Sequence, residues 1–154
     1  SLKTAGPIIF ITAAGSVLGQ VIVEAGFVQY IQQNAASLSS IGLFFPFVVA
    51  AIIKTAQGSS TVAMTTTAGI MGLYFSDASL MAALGMTTPL DAALAVMAIG
   101  AGAMTVSHAN DSYFWVVTNF GGLTPQDGYR THTLATLVMG ITSIVALYIF
   151  SLFI

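Results

Sequence analysis

Two short polar stretches interrupt otherwise apolar sequence: Lys54-Thr55-Ala56-Gln57-Gly58-Ser59-Ser60-Thr61 and Ser107-His108-Ala109-Asn110-Asp111-Ser112. Between them they hold a large share of the chain's ionisable and amide groups. Such groups are expensive in hydrocarbon and tend to persist there only where they do something. The first stretch offers the Gln57 amide, the hydroxyls of Ser59, Ser60 and Thr61, and Gly58, which lets the backbone turn sharply. A helix starting near Ser59 would aim its free N–H groups and positive dipole end into the protein, an arrangement suited to a carboxylate. The exposed carbonyls ending the preceding arm would suit a cation, and broken helices in transporters use both ends in this way. The plainer reading is a kinked helix whose Ser and Thr side chains re-satisfy its backbone.

The second stretch is denser. A histidine changes charge near neutral pH, so His108 is a candidate proton carrier, and Asp111 can hold a proton or a cation. Asn110 can donate to a substrate hydroxyl or carboxylate, with Ser107 and Ser112 beside it. The plainer reading is a solvated loop. Against it, Tyr113-Phe114-Trp115-Val116-Val117 follows at once, although aromatic groups also mark membrane interfaces. One His and one Asp at this spacing fall short of the three or four ligands of a zinc site, so no metal is expected.

Outside the interruptions, Glu24 lies deep in the first apolar run, where a carboxylate could carry a proton. If that run ends near Val23, Glu24 faces headgroups instead. Lys54 is read as lying near the hairpin tip or snorkelling, or more sharply as a partner for a substrate carboxylate. His132, near Arg130 at the edge of the last run, reads as interfacial. Asp77, Asp91 and Asp127 read as connector or cap residues.

These residues need elements to position them. Residues 7–31 form a run long enough to span a bilayer core, which takes roughly 20 residues. Its Gly15, Gly19 and Gly26 let neighbouring helices approach closely. Residues 32–40 read as a loop. Within 41–75, two apolar arms flank the first interruption, and neither reaches across roughly 30 Å at about 1.5 Å per residue. The pair is either one long helix with a broken centre or a re-entrant hairpin with 57–61 at its tip. Non-helical backbone at membrane depth must be buried in protein or line a watery cavity, so both readings put the stretch in an internal site. A connector follows, with Thr88 and Pro89 as an N-cap and first helical residue. Residues 89–120 read as a discontinuous helix unwound at 107–112, a turn at 121–127 follows, and 129–154 is the last span.

Composition agrees with that architecture. The chain is 56% hydrophobic and 5% charged, against roughly 25% charged in a soluble domain. Its mean hydropathy is +0.94. The fold class expected is an all-α integral membrane protein. A net charge of −2 with 3 Lys+Arg leaves nucleic-acid binding without an electrostatic basis. There is no cysteine, hence no disulfide. The chain opens Ser1-Leu2-Lys3 without Met and reads as a piece of a longer protein.

Three segments in order resemble the gluconate permease (GntP) family. They are Ala56-Gln57-Gly58-Ser59-Ser60-Thr61-Val62-Ala63-Met64 with Thr66-Thr67-Ala68-Gly69, then Ile99-Gly100-Ala101-Gly102 with Ser107-His108-Ala109-Asn110-Asp111-Ser112 and Phe114-Trp115, and finally Phe120-Gly121-Gly122-Leu123-Thr124 before the last apolar run. The resemblance covers essentially the whole chain, as the C-terminal third of such a permease. It implies proton-coupled uptake of gluconate or a related sugar acid across a bacterial inner membrane by a multi-pass protein. It also implies an inverted-repeat architecture in which this chain is one half, with a re-entrant hairpin and a broken helix. Two positions depart from the family pattern: Tyr113 stands where a small residue is expected, and Glu24 stands near a common Asp.

On that basis Gln57, Gly58, Ser59, Ser60, Thr61, Ser107, Asn110 and Ser112 are expected to bind a small organic-acid anion. His108, Asp111 and Glu24 are expected to couple it to H+, or to Na+ in the alternative, with no other cofactor. The expected partners are the lipid bilayer, the N-terminal remainder of the transporter and further copies of the chain in a homo-oligomer. No covalent chemistry is expected. Another small organic acid or an amino acid is the alternative substrate, separable by uptake under each ion gradient alone. A non-transporting scaffold or partner subunit is the alternative of another class, disfavoured if a preceding repeat shares the chain. An intramembrane enzyme would require a hydrolytic activity lost in Ser107→Ala.

Overall fold

The computed structural model describes Ala25, residues 41–72 and residues 79–153. Every regular element among these residues is helical. The expected first span at 7–31, Ala25 apart, with Glu24, and residues 73–75 of the second arm and Asp77 lie outside them.

Helix α1, Phe44–Gln57, buries Phe45, Pro46, Val49, Ala50, Ile53, Lys54 and Gln57, adjacent rows of one face at helical spacing. It stops at Gly58, whose φ of 80° puts it in the left-handed region and whose N–H caps the Lys54 carbonyl at 2.8 Å. Ser59 is extended and N-caps α2, Ser60–Met71, by accepting the Val62 N–H on its hydroxyl. The short α3, Leu80–Ala83, is capped in the same way by Ser79.

Helix α4, Pro89–Met104, starts with a reciprocal capping box. The Thr88 hydroxyl accepts the Asp91 N–H while the Asp91 carboxylate accepts the Thr88 N–H. Thr124 and Asp127 repeat the device at α6, Pro125–Gly128. Asp91 and Asp127 are therefore cap residues, as their positions suggested. Between α4 and α5, Ser112–Phe120, the chain leaves helical geometry over 105–111. Val106 sits there at φ 54°, a strained backbone for a β-branched side chain.

A five-residue π-helical turn, Tyr129–Thr133, joins α6 to α7, Leu134–Ser151. The helical stretch Pro125–Ser151 runs for 27 residues and is long and apolar enough to cross a membrane. α1 and α4 are shorter apolar helices.

Helix α4 is central: α1, α2 and α7 all pack on it, and α2 also packs on α1. One core joins Phe45, Val49, Ala50 and Ile53 of α1, Ala63, Ile70 and Met71 of α2, and Ala95, Ile99 and Ala103 of α4. A smaller cluster joins Leu94 and Ala98 of α4 to Ile144 and Leu147 of α7. Gly102 lets α1 lie close against α4, because a Cβ there would strike the Phe47 carbonyl and the Ala50 methyl of α1.

Candidate functional site

The packing of α1 and α2 on α4 brings the two polar interruptions into contact. Gly58 lies so close to the second that a Cβ would overlap the Asn110 carbonyl. Asn110 donates from its side-chain amide to the Thr55 carbonyl at 2.6 Å, stitching the α1 end to the break. At this junction lies a pocket of about 230 Å³ lined by Gln57, Gly58, Ser59, Ser60, Thr61, Asp111, Ser112 and Tyr113.

Two helices begin at this pocket. α2 starts at Ser60 and α5 at Ser112, so residues at both N-termini form its wall. The first amides of a helix have no intrahelical acceptor, and the dipole adds partial positive charge. Ser59 and Asp111 each satisfy one such amide, that of Val62 and that of Tyr113 respectively. The pocket therefore combines hydroxyls with two positive helix ends, the chemistry that holds an anion, and its one lining carboxylate, Asp111, is paired with Lys54. A larger groove of about 670 Å³ between α4 and α7, lined by Met97, Met104, Met139, Leu147 and Phe150 among others, carries no charged group.

Behind the pocket runs a buried polar chain. Lys54 is 1% exposed. Its ammonium lies 2.6 Å from Asp111 Oδ2 and donates to the Gly58 carbonyl at 2.9 Å. The same Oδ2 accepts the Ser107 hydroxyl at 2.5 Å, and Oδ1 accepts the Tyr113 N–H at 3.0 Å. Ser107 Oγ in turn lies 3.0 Å from His132 Nε2. The start of α7 holds the Ser107 backbone as well: Thr136 Oγ1 accepts its N–H at 3.0 Å, and the Thr133 hydroxyl donates to its carbonyl at 2.6 Å.

This chain corrects two expectations. Lys54 does not snorkel, because its charge is turned inward and held by Asp111. His132 is not simply interfacial: the π turn directs its half-buried ring onto Ser107 and, edge-on, onto Tyr113 at 5.4 Å. The Ser107 hydroxyl donates to the Asp111 carboxylate, with His132 Nε2 on its other side.

Of the residues singled out in the sequence, Gln57, Gly58, Ser59, Ser60, Thr61, Asp111 and Ser112 line the pocket together. Ser107 lies behind it beneath Asp111, and Asn110 braces the tip from the side. His108 is in the break, its carbonyl accepting the Asp111 N–H at 2.8 Å, and its ring takes no part in the Lys54–Asp111–Ser107–His132 chain. Sequence reasoning marked Tyr113 only as a departure from the family pattern that could narrow the pocket, and did not assign Thr133 or Thr136 to the site. A cluster of Thr and His at one end of an apolar run was the available signal for the last two.

A family model described as GntP family permease matches residues 1–153. Among curated proteins, the chain is 34% identical to the inner membrane permease YgbN of Escherichia coli over 92% of this chain and 29% of that protein. It is 34% identical to the Gnt-II system L-idonate transporter of E. coli over 96% of this chain and 32% of that protein. It is 31% identical to the high-affinity gluconate transporter of the same organism, over 99% of this chain and 33% of that protein. The chain thus spans about a third of the length of these relatives. No solved structure matches.

Proposed function

The chain belongs to the GntP permease family, and on that premise we propose that it forms part of a secondary transporter carrying gluconate or a related sugar-acid anion across a bacterial inner membrane with a proton. The observation that supports this most is the convergence of the α2 and α5 N-termini on one polar pocket, with a buried Lys54–Asp111 pair directly behind it. Relatives named as gluconate and L-idonate transporters support the substrate class.

In this reading α1 and α2 are a re-entrant hairpin with its tip at Gly58–Ser59. α4 and α5 are the halves of a discontinuous helix. The stretch 125–151 spans the bilayer, and 7–31 is a further span of a multi-pass protein. The remainder of the transporter supplies the opposing inverted repeat and closes the pocket. Ser59, Ser60, Thr61 and the amides opening α2 and α5 hold the substrate carboxylate. Gln57 and Ser112 meet its hydroxyls, while Asn110 keeps tip and break in register and the Ser107 backbone ties the break to the start of the last long helix. Asp111 is the favoured coupling group because its carboxylate lies at the pocket wall against the buried Lys54 ammonium. His108 and Glu24 are the other candidates. Proton and substrate would then be carried together as the repeats rock about a site near the membrane midplane.

The test is uptake of labelled gluconate by the full-length transporter in sealed vesicles. An inward proton gradient alone should drive accumulation, and an inward sodium gradient alone should not. Accumulation under sodium alone would move the coupling to that ion. Absence of uptake under both would remove the gluconate reading.

A further inference from the structure

We propose that His132 is the group through which the coupling proton reaches Asp111, by way of Ser107. The inference rests on the proton-coupled reading above and extends it to a residue on another element, the π turn that opens the last long helix.

The direction of the hydrogen bonds carries the argument. Paired with Lys54, the Asp111 carboxylate is an acceptor only. The single hydroxyl proton of Ser107 must therefore point at Oδ2, 2.5 Å away. With that proton committed, the 3.0 Å contact between Ser107 Oγ and His132 Nε2 requires the nitrogen to donate. Every hydrogen in the row thus points toward Asp111.

A proton transfer along the row needs no rearrangement of heavy atoms. The Nε2–H bond of an imidazolium breaks as that proton joins Ser107 Oγ, and the original Ser107 proton passes to Asp111 Oδ2. His132 and Asp111 end neutral, Ser107 is unchanged, and the total charge is conserved.

The placement of Ser107 is a second, independent observation. All its polar groups are held by one segment: its N–H by Thr136, its carbonyl by Thr133 and its hydroxyl by His132. The π turn, with its i→i+5 geometry, is where such irregularity often accompanies function. His132 also touches the pocket rim, because its ring meets Tyr113, which lines the pocket and is 58% exposed.

The surrounding charged and titratable groups are few. α5 presents Tyr113. α6 presents Asp127, which is engaged by Thr124. The π turn itself carries Tyr129 and the exposed Arg130, and α7 brings no charged side chain. Among the described residues, His108 beside Ser107 in the break, Asp111 and, behind it, Lys54 are the others.

The consequence for coupling is direct. Once Asp111 is neutral, the buried Lys54 cation faces only uncharged oxygens, those of Asp111 and the Gly58 carbonyl, and both residues are part of the pocket wall. A substrate carboxylate in the pocket then supplies the missing negative charge. Proton and anion each favour the other's binding, as linkage requires.

The experiment uses the full-length transporter in sealed vesicles with labelled gluconate. It compares accumulation under an inward proton gradient with equilibrium exchange at equal pH on both sides, for wild type, His132→Gln and Ser107→Ala. Exchange returns the proton with its substrate and does not need its release. The ratio of accumulation to exchange should fall at least about a hundredfold in both variants, the low end of what a positioned acid–base group contributes. The pH profile of accumulation should flatten in His132→Gln. If Ser107→Ala does not fold, the His132→Gln ratio decides alone. A wild-type ratio in His132→Gln overturns the relay, and so does joint loss of accumulation and exchange in both variants, which would make these residues scaffolding. Wild type that exchanges gluconate but ignores the proton gradient overturns the coupling reading itself, and the relay with it.

Discussion

Lys54 is the residue whose burial costs most, and the site is built around that cost. An ammonium removed from water loses several kcal/mol of hydration even after relaxation. Here Asp111 at 2.6 Å and the Gly58 carbonyl at 2.9 Å offset it. Replacing one member of such a pair strands the other. Lys54→Met should therefore destabilise the full-length protein by about 3–5 kcal/mol, whereas Lys54→Met with Asp111→Asn should recover part of that loss. Thermal unfolding of the detergent-solubilised single and double variants measures both. Equal destabilisation by the single and the double change would mean that the pair is not what holds these groups.

At the scale of elements, the decisive feature is where helices stop. α1 ends at Gly58 because that residue takes φ 80°, and α2 restarts at once because Ser59 supplies an N-cap. A Cβ at Gly58 would be strained by its backbone, by roughly 1–2 kcal/mol, and would also overlap the Asn110 backbone. The second conflict is the graver, since neither main chain can give way without separating tip from break. Gly58→Ala should weaken gluconate binding to the full-length transporter by at least about tenfold, which is roughly 1.4 kcal/mol. Calorimetric titration reads this directly, and unaltered affinity would show that the pocket does not depend on the tip lying against the break.

For the whole molecule, α4 is the element on which α1, α2 and α7 meet. Its Gly102 lets α1 lie against it so closely that a Cβ would strike Phe47 and Ala50. Gly102→Val should cost about 1–3 kcal/mol by overpacking and shift the hairpin away from the break. The expected result is a lower unfolding temperature together with weakened gluconate binding, and normal stability would contradict the packing described. The outer side of the assembly is open. Only 22% of the most apolar window of the 125–151 helix is buried, and Leu134, Val138, Ile141, Val145 and Ile149 face outward. An apolar surface of this kind suits lipid or further protein, and the relatives are about three times the length of this chain.

Much of this was legible from the residues alone, because local rules govern it. Polar groups inside apolar runs marked both interruptions. Thr88 before Pro89 announced the start of α4, and the low charge content announced a membrane environment. The meeting of 57–61 with 111–113 followed only as an implication of family resemblance, since nothing in either stretch specifies the other. The Lys54–Asp111 pair and the Ser107–His132 contact were not legible at all. Each joins side chains on elements distant in sequence, and each depends on how closely α1 and the π turn approach the break. Residue types determined that this chain would hold buried polar groups. Only tertiary packing decided which charge faces which, because the free energy of a buried ion depends on a partner within about 4 Å that local sequence does not contain.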